Sequence, residues 1–335
     1  MKKEFQRLLT VLAILVLSLS QLSSQNNKKT NNVKNNSSAK SSVTFTNKAV
    51  KLDILYKTVQ DKDLYLDIYY PDSIPSGKYP VVVYTHGGGW AAGNKSKITE
   101  GEIGELVKSL TDKGFCVVSI GYRLWKKNGD TSMRDCVIDS KDAVRFLAKN
   151  NKSLFIDIDK VFPYGDSAGG QIAMMLLLTS PESLAGAPEL AAYSYKMIAG
   201  VSWYGPCDFE RVDLFETNDT TKIPDRFGAR ILRPDTDPKD KLKLYREMSP
   251  INYLSAKSLP LLMIQGDKDV TIPVKHAYYM KEKADAIHAP VEIFIIKNAG
   301  HNWRQVDAPI EPSTDVIINR TVSFMLDQLK KNSNK

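Results

Sequence analysis

The chain has 335 residues, 42% hydrophobic and 25% charged, a globular composition that excludes a fibrous or wholly disordered protein. Its net charge of +8 is concentrated in the first 48 residues, where eight lysines and arginines face the single acidic residue Glu4. The remainder is close to neutral, so no basic face for nucleic acid or another polyanion is expected on the folded body.

Residues 1–24 read as an export signal: Lys2, Lys3 and Arg7 precede an apolar run over residues 8–19, and small residues follow at Ser18 and Ser20. The run is shorter than the roughly 20 residues a spanning helix needs. A secreted or cell-surface location is therefore expected, with an uncleaved N-terminal anchor as the alternative. No stable membrane partner is expected once the signal is removed. Residues 25–45 (QNNKKTNNVKNNSSAKSS and the three that follow) are almost devoid of apolar side chains until their end and read as a flexible tether. Residues 46–335 form the folded domain. Its three cysteines, Cys116, Cys136 and Cys207, are too few and odd in number for a disulfide framework; Cys116 and Cys136 read as core filler.

Within the domain, short β-rich runs alternate with amphipathic helices, which predicts a mostly parallel sheet with helices on both faces. Runs at 50–56 and 64–70 suggest an antiparallel start. The segment 79–85 (YPVVVYT) is a continuous apolar strand of the buried type, and 115–120 (FCVVSI) is another. Helices are expected over 104–112, 139–149 and 170–179, and further strands at 161–164, 197–203, 261–265 and 291–296. Residues 202–258 break this rhythm with a polar, proline-containing insertion. It is either a small cap over a pocket or a surface excursion.

Gly165-Asp166-Ser167-Ala168-Gly169 lies between a strand and an apolar helix. A G-x-S-x-G turn in that context holds a serine hydroxyl free at the carboxyl end of a sheet. Such a hydroxyl needs a base. Of four histidines, His301 alone follows the last predicted strand and so reaches the same sheet edge. His276 and His288, on and after a helix, read as surface residues, and His86 belongs to a glycine loop that it braces. The acid comes from Gly266-Asp267-Lys268-Asp269 after strand 261–265. Asp269 is chosen because the chain must clear the sheet edge before turning to His301; Asp267 is expected to stabilise the turn through its own backbone. In His86-Gly87-Gly88-Gly89-Trp90, glycines bring backbone N–H groups close to a ligand. Gly88, Gly89 and Ala168 are the expected oxyanion-hole donors. Trp90 either lines an acyl pocket or packs, and Trp203 and Tyr204 are further candidate pocket walls.

The HGGGW, GYRL, GDSAGG, GDKDVTIP and AGHNW segments resemble the carboxylesterase/lipase branch of the α/β-hydrolases. They are most similar to bacterial feruloyl esterases and acetyl-xylan esterases, kin to hormone-sensitive lipase. The resemblance spans residues 56–329. It implies the α/β-hydrolase fold with a small cap-like insertion, a Ser167–His301–Asp269 triad, and a structural brace at Tyr122-Arg123-Leu124 and Asp139. The chain departs from the family pattern at Gln265, where a histidine is frequent and where no effect on the triad is expected. It also departs at Asn302, and at Pro163, where a bulge is expected.

The implied function is a serine carboxylic-ester hydrolase acting through an acyl-enzyme on short acyl or aryl esters, with acetyl or feruloyl groups on a polysaccharide among the candidates. No metal or cofactor is expected. The rival enzyme is an arylformamidase-like amide hydrolase, and the non-enzyme rival is a binding module on the same fold. The sequence leaves the oligomeric state open.

Overall fold

Eight strands form a single sheet: β1 (Val50–Val59), β2 (Lys62–Tyr69), β3 (Tyr79–Thr85), β4 (Cys116–Ile120), β5 (Ile156–Asp166), β6 (Gly200–Trp203), β7 (Leu261–Gly266) and β8 (Val291–Ile296), with β-branched and aromatic residues dominating β3 and β8. A computed structural model describes residues 42–45, 50–71 and 77–333. The expected leader, and the tether apart from its last four residues, lie outside the described residues. Those four lie against the body: Val43 N–H donates to the Thr99 carbonyl at 2.9 Å, and the Phe45 ring meets Tyr69 at 4.9 Å.

The strand order is β1-β2-β4-β3-β5-β6-β7-β8. β1 and β2 form an antiparallel ribbon and β2 runs antiparallel to β4; from β4 onward every pairing is parallel. This is the α/β-hydrolase architecture that the sequence predicts. The parallel strands read as unbroken apolar runs because helices cover both their faces. One face carries α2 (Met133–Lys149), α3 (Ala168–Leu178), α6 (Lys275–Ala286) and the insertion. The other carries α1 (Gly101–Asp112) and α7 (Thr314–Ser333).

The insertion holds short 3₁₀ turns and two small helices, α4 (Gly228–Ile231) and α5 (Lys241–Met248). Phe209, Phe215 and Phe227 fasten it to the body. Phe209 and Phe227 meet the Trp90 ring edge-on at 5.8 and 5.5 Å, and Phe215 packs on both. The insertion is a cap over the carboxyl edge of the sheet.

Pro163 is not itself the bulge. The register shift on the β3 side falls between Asp157 and Val161, while Pro163 stays aligned with Val83. On the other side, the bridge Val161–Met197 precedes a β6 ladder that begins only at Tyr164–Val201. The proline therefore occupies a break in the pairing, where a missing N–H costs least.

Candidate active site

β5 ends at Asp166, α3 begins at Ala168, and Ser167 alone makes the turn, with φ 53° and ψ −118°. A serine held at positive φ is strained, and tight packing holds it there. The Ser167 N–H donates to the Trp203 carbonyl at 2.8 Å, and Thr85 Oγ1 donates to the Gly169 carbonyl at 2.8 Å. A side chain on Gly169 would collide with the Thr85 carbonyl, so only glycine lets α3 approach β3 this closely.

His301 follows β8 in a tight 3₁₀ turn closed by Gly300 N–H to the Arg304 carbonyl at 2.7 Å. Its Nε2 lies 2.9 Å from Ser167 Oγ and its Nδ1 lies 2.7 Å from Asp269 Oδ2. The three residues selected from sequence thus form one continuous chain of hydrogen bonds. Asp269 Oδ1 accepts from the Thr271 and Ile272 N–H groups at 2.8 and 2.9 Å. Asp269, not Asp267, is therefore the residue that fixes its own turn. Asp267 Oδ1 is buried without a partner among the described residues, contrary to the turn-stabilising role expected of it.

A side-chain contact from the end of β7 completes the acid. Gln265 Nε2 donates to Asp269 Oδ2 at 3.1 Å and to the Ile272 carbonyl at 2.7 Å. The expectation that glutamine at this position leaves the triad untouched is corrected: it binds the same carboxylate oxygen as His301.

The glycine loop is locked to the serine elbow through Asp166. Its Oδ1 accepts from Gly87 N–H and from Tyr84 OH, both at 2.8 Å. His86 is buried, stacks on Tyr122 at 4.3 Å between ring centroids, and hydrogen-bonds the Gly87 carbonyl through Nδ1 at 2.8 Å. Burial pushes its pKa down to about 4, so it braces the loop as a neutral ring. Gly88 and Gly89 adopt φ 120° and 59°. Their N–H groups donate to no acceptor among the described residues. Neither does the N–H of Ala168, at the first position of α3, where no intrahelical acceptor exists.

The aromatic candidates separate. Tyr204 lies beside the imidazole, its ring 4.9 Å from that of His301. Trp90 takes the packing role of its two expected ones, and Trp203 is corrected from pocket wall to core: they are 1% and 0% exposed. Trp90 Nε1 donates to Gln171 Oε1 at 3.1 Å, pinning the glycine loop to α3. Trp203 points to the opposite face of the sheet, where Nε1 donates to Thr321 of α7 at 3.1 Å. His276 is likewise buried, not on the surface. Its ring packs on Phe215 at 4.3 Å, and burial drives its pKa down to about 3.

From the cap, Arg226 donates to the Phe215 and Ile223 carbonyls at 3.0 and 2.9 Å and to the Thr271 carbonyl at 2.8 Å. It ties the insertion to the turn that carries Asp269. The brace expected from GYRL and Asp139 is present: Arg123 Nε and Nη2 contact the two oxygens of Asp139 at 2.7 and 3.0 Å.

The model of the family described as BD-FAE matches residues 66–284. A probable carboxylic ester hydrolase, LipM of Mycobacterium tuberculosis, is 28% identical over 64% of this chain and 47% of its own length. Esterase LipC of the same organism is 25% identical over 72% of this chain and 57% of its own. The chain thus spans about half the length of these curated relatives. Among solved structures, Thermogutta terrifontis esterase 2 phosphorylated by paraoxon superposes with a TM-score of 0.65 at 20% identity, covering 83% of this chain and 94% of that one. A truncated carbohydrate esterase from gut microbiota gives a TM-score of 0.66 at 21% identity, covering 83% and 95%. These superpositions establish the α/β-hydrolase fold.

Proposed function

The chain belongs to the BD-FAE family, and on that premise we propose that it is a serine-dependent carboxylic-ester hydrolase with Ser167 as nucleophile. The observation that carries this reading is the Ser167–His301–Asp269 hydrogen-bond chain, with links of 2.9 and 2.7 Å, beside a glycine loop with unengaged N–H groups. His301 Nε2 takes the Ser167 proton as Oγ bonds to the ester carbonyl carbon. Asp269 holds the Nδ1–H tautomer and stabilises the imidazolium. The N–H groups of Gly88, Gly89 and Ala168 receive the oxyanion; in other serine hydrolases one such donor is worth roughly 3 kcal/mol. The imidazolium proton then passes to the alkoxy oxygen as the C–O bond breaks, leaving an acyl-serine and free alcohol. Water, deprotonated by His301, attacks the acyl-serine. Collapse of the second tetrahedral intermediate returns the proton to Ser167 and frees the acid.

The substrates are short acyl or aryl esters, with acetyl or feruloyl groups on carbohydrate as the natural class. Support for short acyl groups comes from the cap. Its longest helix has eight residues, and it offers no extended amphipathic face to a lipid surface. Each methylene of a longer chain that finds no apolar wall forgoes about 0.8 kcal/mol of burial. The test combines a fluorophosphonate probe with p-nitrophenyl esters from acetyl to decanoyl. The probe should label the wild type and not Ser167→Ala, and kcat/KM should peak from acetyl to butyryl and collapse by decanoyl. Labelling that survives in the variant removes the nucleophile assignment. Efficient cleavage of emulsified long-chain triglycerides removes the short-acyl reading.

A further inference from the structure

Arg230 of α4 is a cation without a counterion. It forms no ion pair with any described residue. Its side chain's one hydrogen bond among the described residues is from Nη1 to the Arg226 carbonyl at 3.3 Å, and its buried Nε has no partner there. Its Cζ lies 5.1 Å from the Phe227 ring centroid and 5.7 Å from that of Trp125. The two rings orient the guanidinium and supply no negative charge. Burial alone, with no charged neighbour contributing, holds its pKa below the usual arginine value. Two neighbouring cap arginines differ: Arg226 engages both terminal nitrogens with carbonyls, and Arg233 pairs with Asp135 at 2.8 Å. Taking a guanidinium out of water without a partner is costly, and a partly buried fork of five donors that uses one of them is suited to a planar oxyanion.

Its position gives that fork a purpose. The guanidinium lies where a side chain on Gly89 would point, with Cζ and Nη2 at 3.7 and 3.8 Å from the position of such a Cβ. Gly89 is one of the residues read above as an oxyanion donor.

We propose that Arg230 makes this site selective for esters that carry a carboxylate close to the reacting carbonyl, which the guanidinium grips in the final pose. This rests on the esterase reading of the same site. The carboxylate can belong to the acyl or the alcohol half, and in both cases the recognising chemistry is a forked, charge-assisted hydrogen bond.

Two matched pairs distinguish the halves. p-Nitrophenyl hemisuccinate against p-nitrophenyl succinamate tests the acyl side, and 4-acetoxybenzoate against 4-acetoxybenzamide tests the alcohol side. In wild-type enzyme at low ionic strength, kcat/KM should favour the anionic ester by about tenfold in one of the two pairs. Arg230→Gln should bring that ratio to near one, chiefly through the KM of the anionic ester, and Arg230→Lys should keep part of it. A residue that merely pins the cap would shift both members of a pair together and leave the ratio alone. The proposal is overturned if the wild type shows no anionic preference in either pair, or if Arg230→Gln leaves the preference intact. Should the wild type cleave none of the four esters and resist the fluorophosphonate, the esterase reading itself falls and this proposal falls with it.

Discussion

Two regions of the molecule bury many polar groups, and they treat them in opposite ways. Between β1, the segment after β4 and α2, Lys57 contacts Asp139 and Asp142 at 2.9 and 2.7 Å, Arg123 grips Asp139, and Arg145 contacts Asp142 at 2.7 Å. Arg145 Nη2 donates to the Pro181 and Ser183 carbonyls at 2.7 and 3.0 Å. Among the described residues, no fully buried side-chain nitrogen or oxygen of these five lacks a partner. Around Ser167 the reverse holds. Gln265 Oε1, Asp267 Oδ1, Arg226 Nε and Arg230 Nε are buried and have no partner among the described residues. Ser167, Tyr204, Asn302 and Trp303 all sit at positive φ, between 42° and 59°. Satisfied buried polarity stabilises a fold; unsatisfied polarity held in strained backbone is tolerated where reacting atoms need it. The first region is a brace and the second is a site, though their compositions are alike.

The largest expected effect is in the site. Asp269→Asn keeps an oxygen for the Thr271 and Ile272 N–H groups but presents an amide to His301 Nδ1, which forces the wrong tautomer. Turnover should fall by about 10⁴-fold with little change in melting temperature. Asp267→Asn, in the same turn and equally buried at Oδ1, should leave turnover close to wild type. Steady-state kinetics of the two variants side by side decide the matter, and reversed effects would move the acid to Asp267.

Next comes the brace, where the loss should appear in stability instead. Asp139 accepts from Lys57 Nζ and from the Arg123 backbone and side chain. Asp139→Asn leaves two buried cations short of charge, a change that typically costs 3–5 kcal/mol, or about 10 °C in a domain of this size. Turnover per fluorophosphonate-titrated site at 25 °C should be unchanged. A variant of normal stability with impaired turnover would dissolve the distinction between the two regions.

The contrast also explains what sequence could reveal. Ser167, His301 and Asp269 are legible because each lies in the turn or loop that follows a strand, and a strand's end is a local signal. The bounds of β3 and β8 were read to the residue for the same reason: their apolar runs start and stop sharply. Trp203 is not legible as a core residue, and the choice between the two roles of Trp90 is not legible either, because an aromatic beside a motif does not declare which way it faces. Trp203 sits on the α1/α7 face of the sheet, and only the packing of Thr321 shows it. His276 was misjudged because nothing local says that Phe215, some sixty positions earlier, covers it. Arg226 and Arg230 were invisible because the cap has no periodicity; its placement depends on a cluster of phenylalanines drawn from three separate segments. Asp166 was in plain view inside the serine motif, yet its hold on Gly87 is a tertiary contact.

The smallest expected effect tests a residue that belongs to both categories. Gln265 donates from Nε2 to Asp269 and to the Ile272 carbonyl while its Oε1 is buried without a partner. It is half satisfied, as in the brace, and half open, as in the site. If its amide serves the acid, Gln265→Leu removes a hydrogen bond to a carboxylate that must keep its charge and orientation when His301 becomes an imidazolium. Asp269 retains two backbone donors, so the loss is partial. A charge-assisted hydrogen bond of this kind corresponds to about tenfold in rate. That loss should fall on kcat with KM unchanged, because Gln265 is fully behind the acid and cannot touch the ester. The rate of fluorophosphonate labelling should fall in parallel, since it draws on the same base. Gln265→His, which restores a donor at the same position, should recover part of both rates. A glutamine that only fills space would give the same kcat in all three proteins, with differences confined to melting temperature. That outcome would place Gln265 with the brace and leave Asp269 held by its own turn alone.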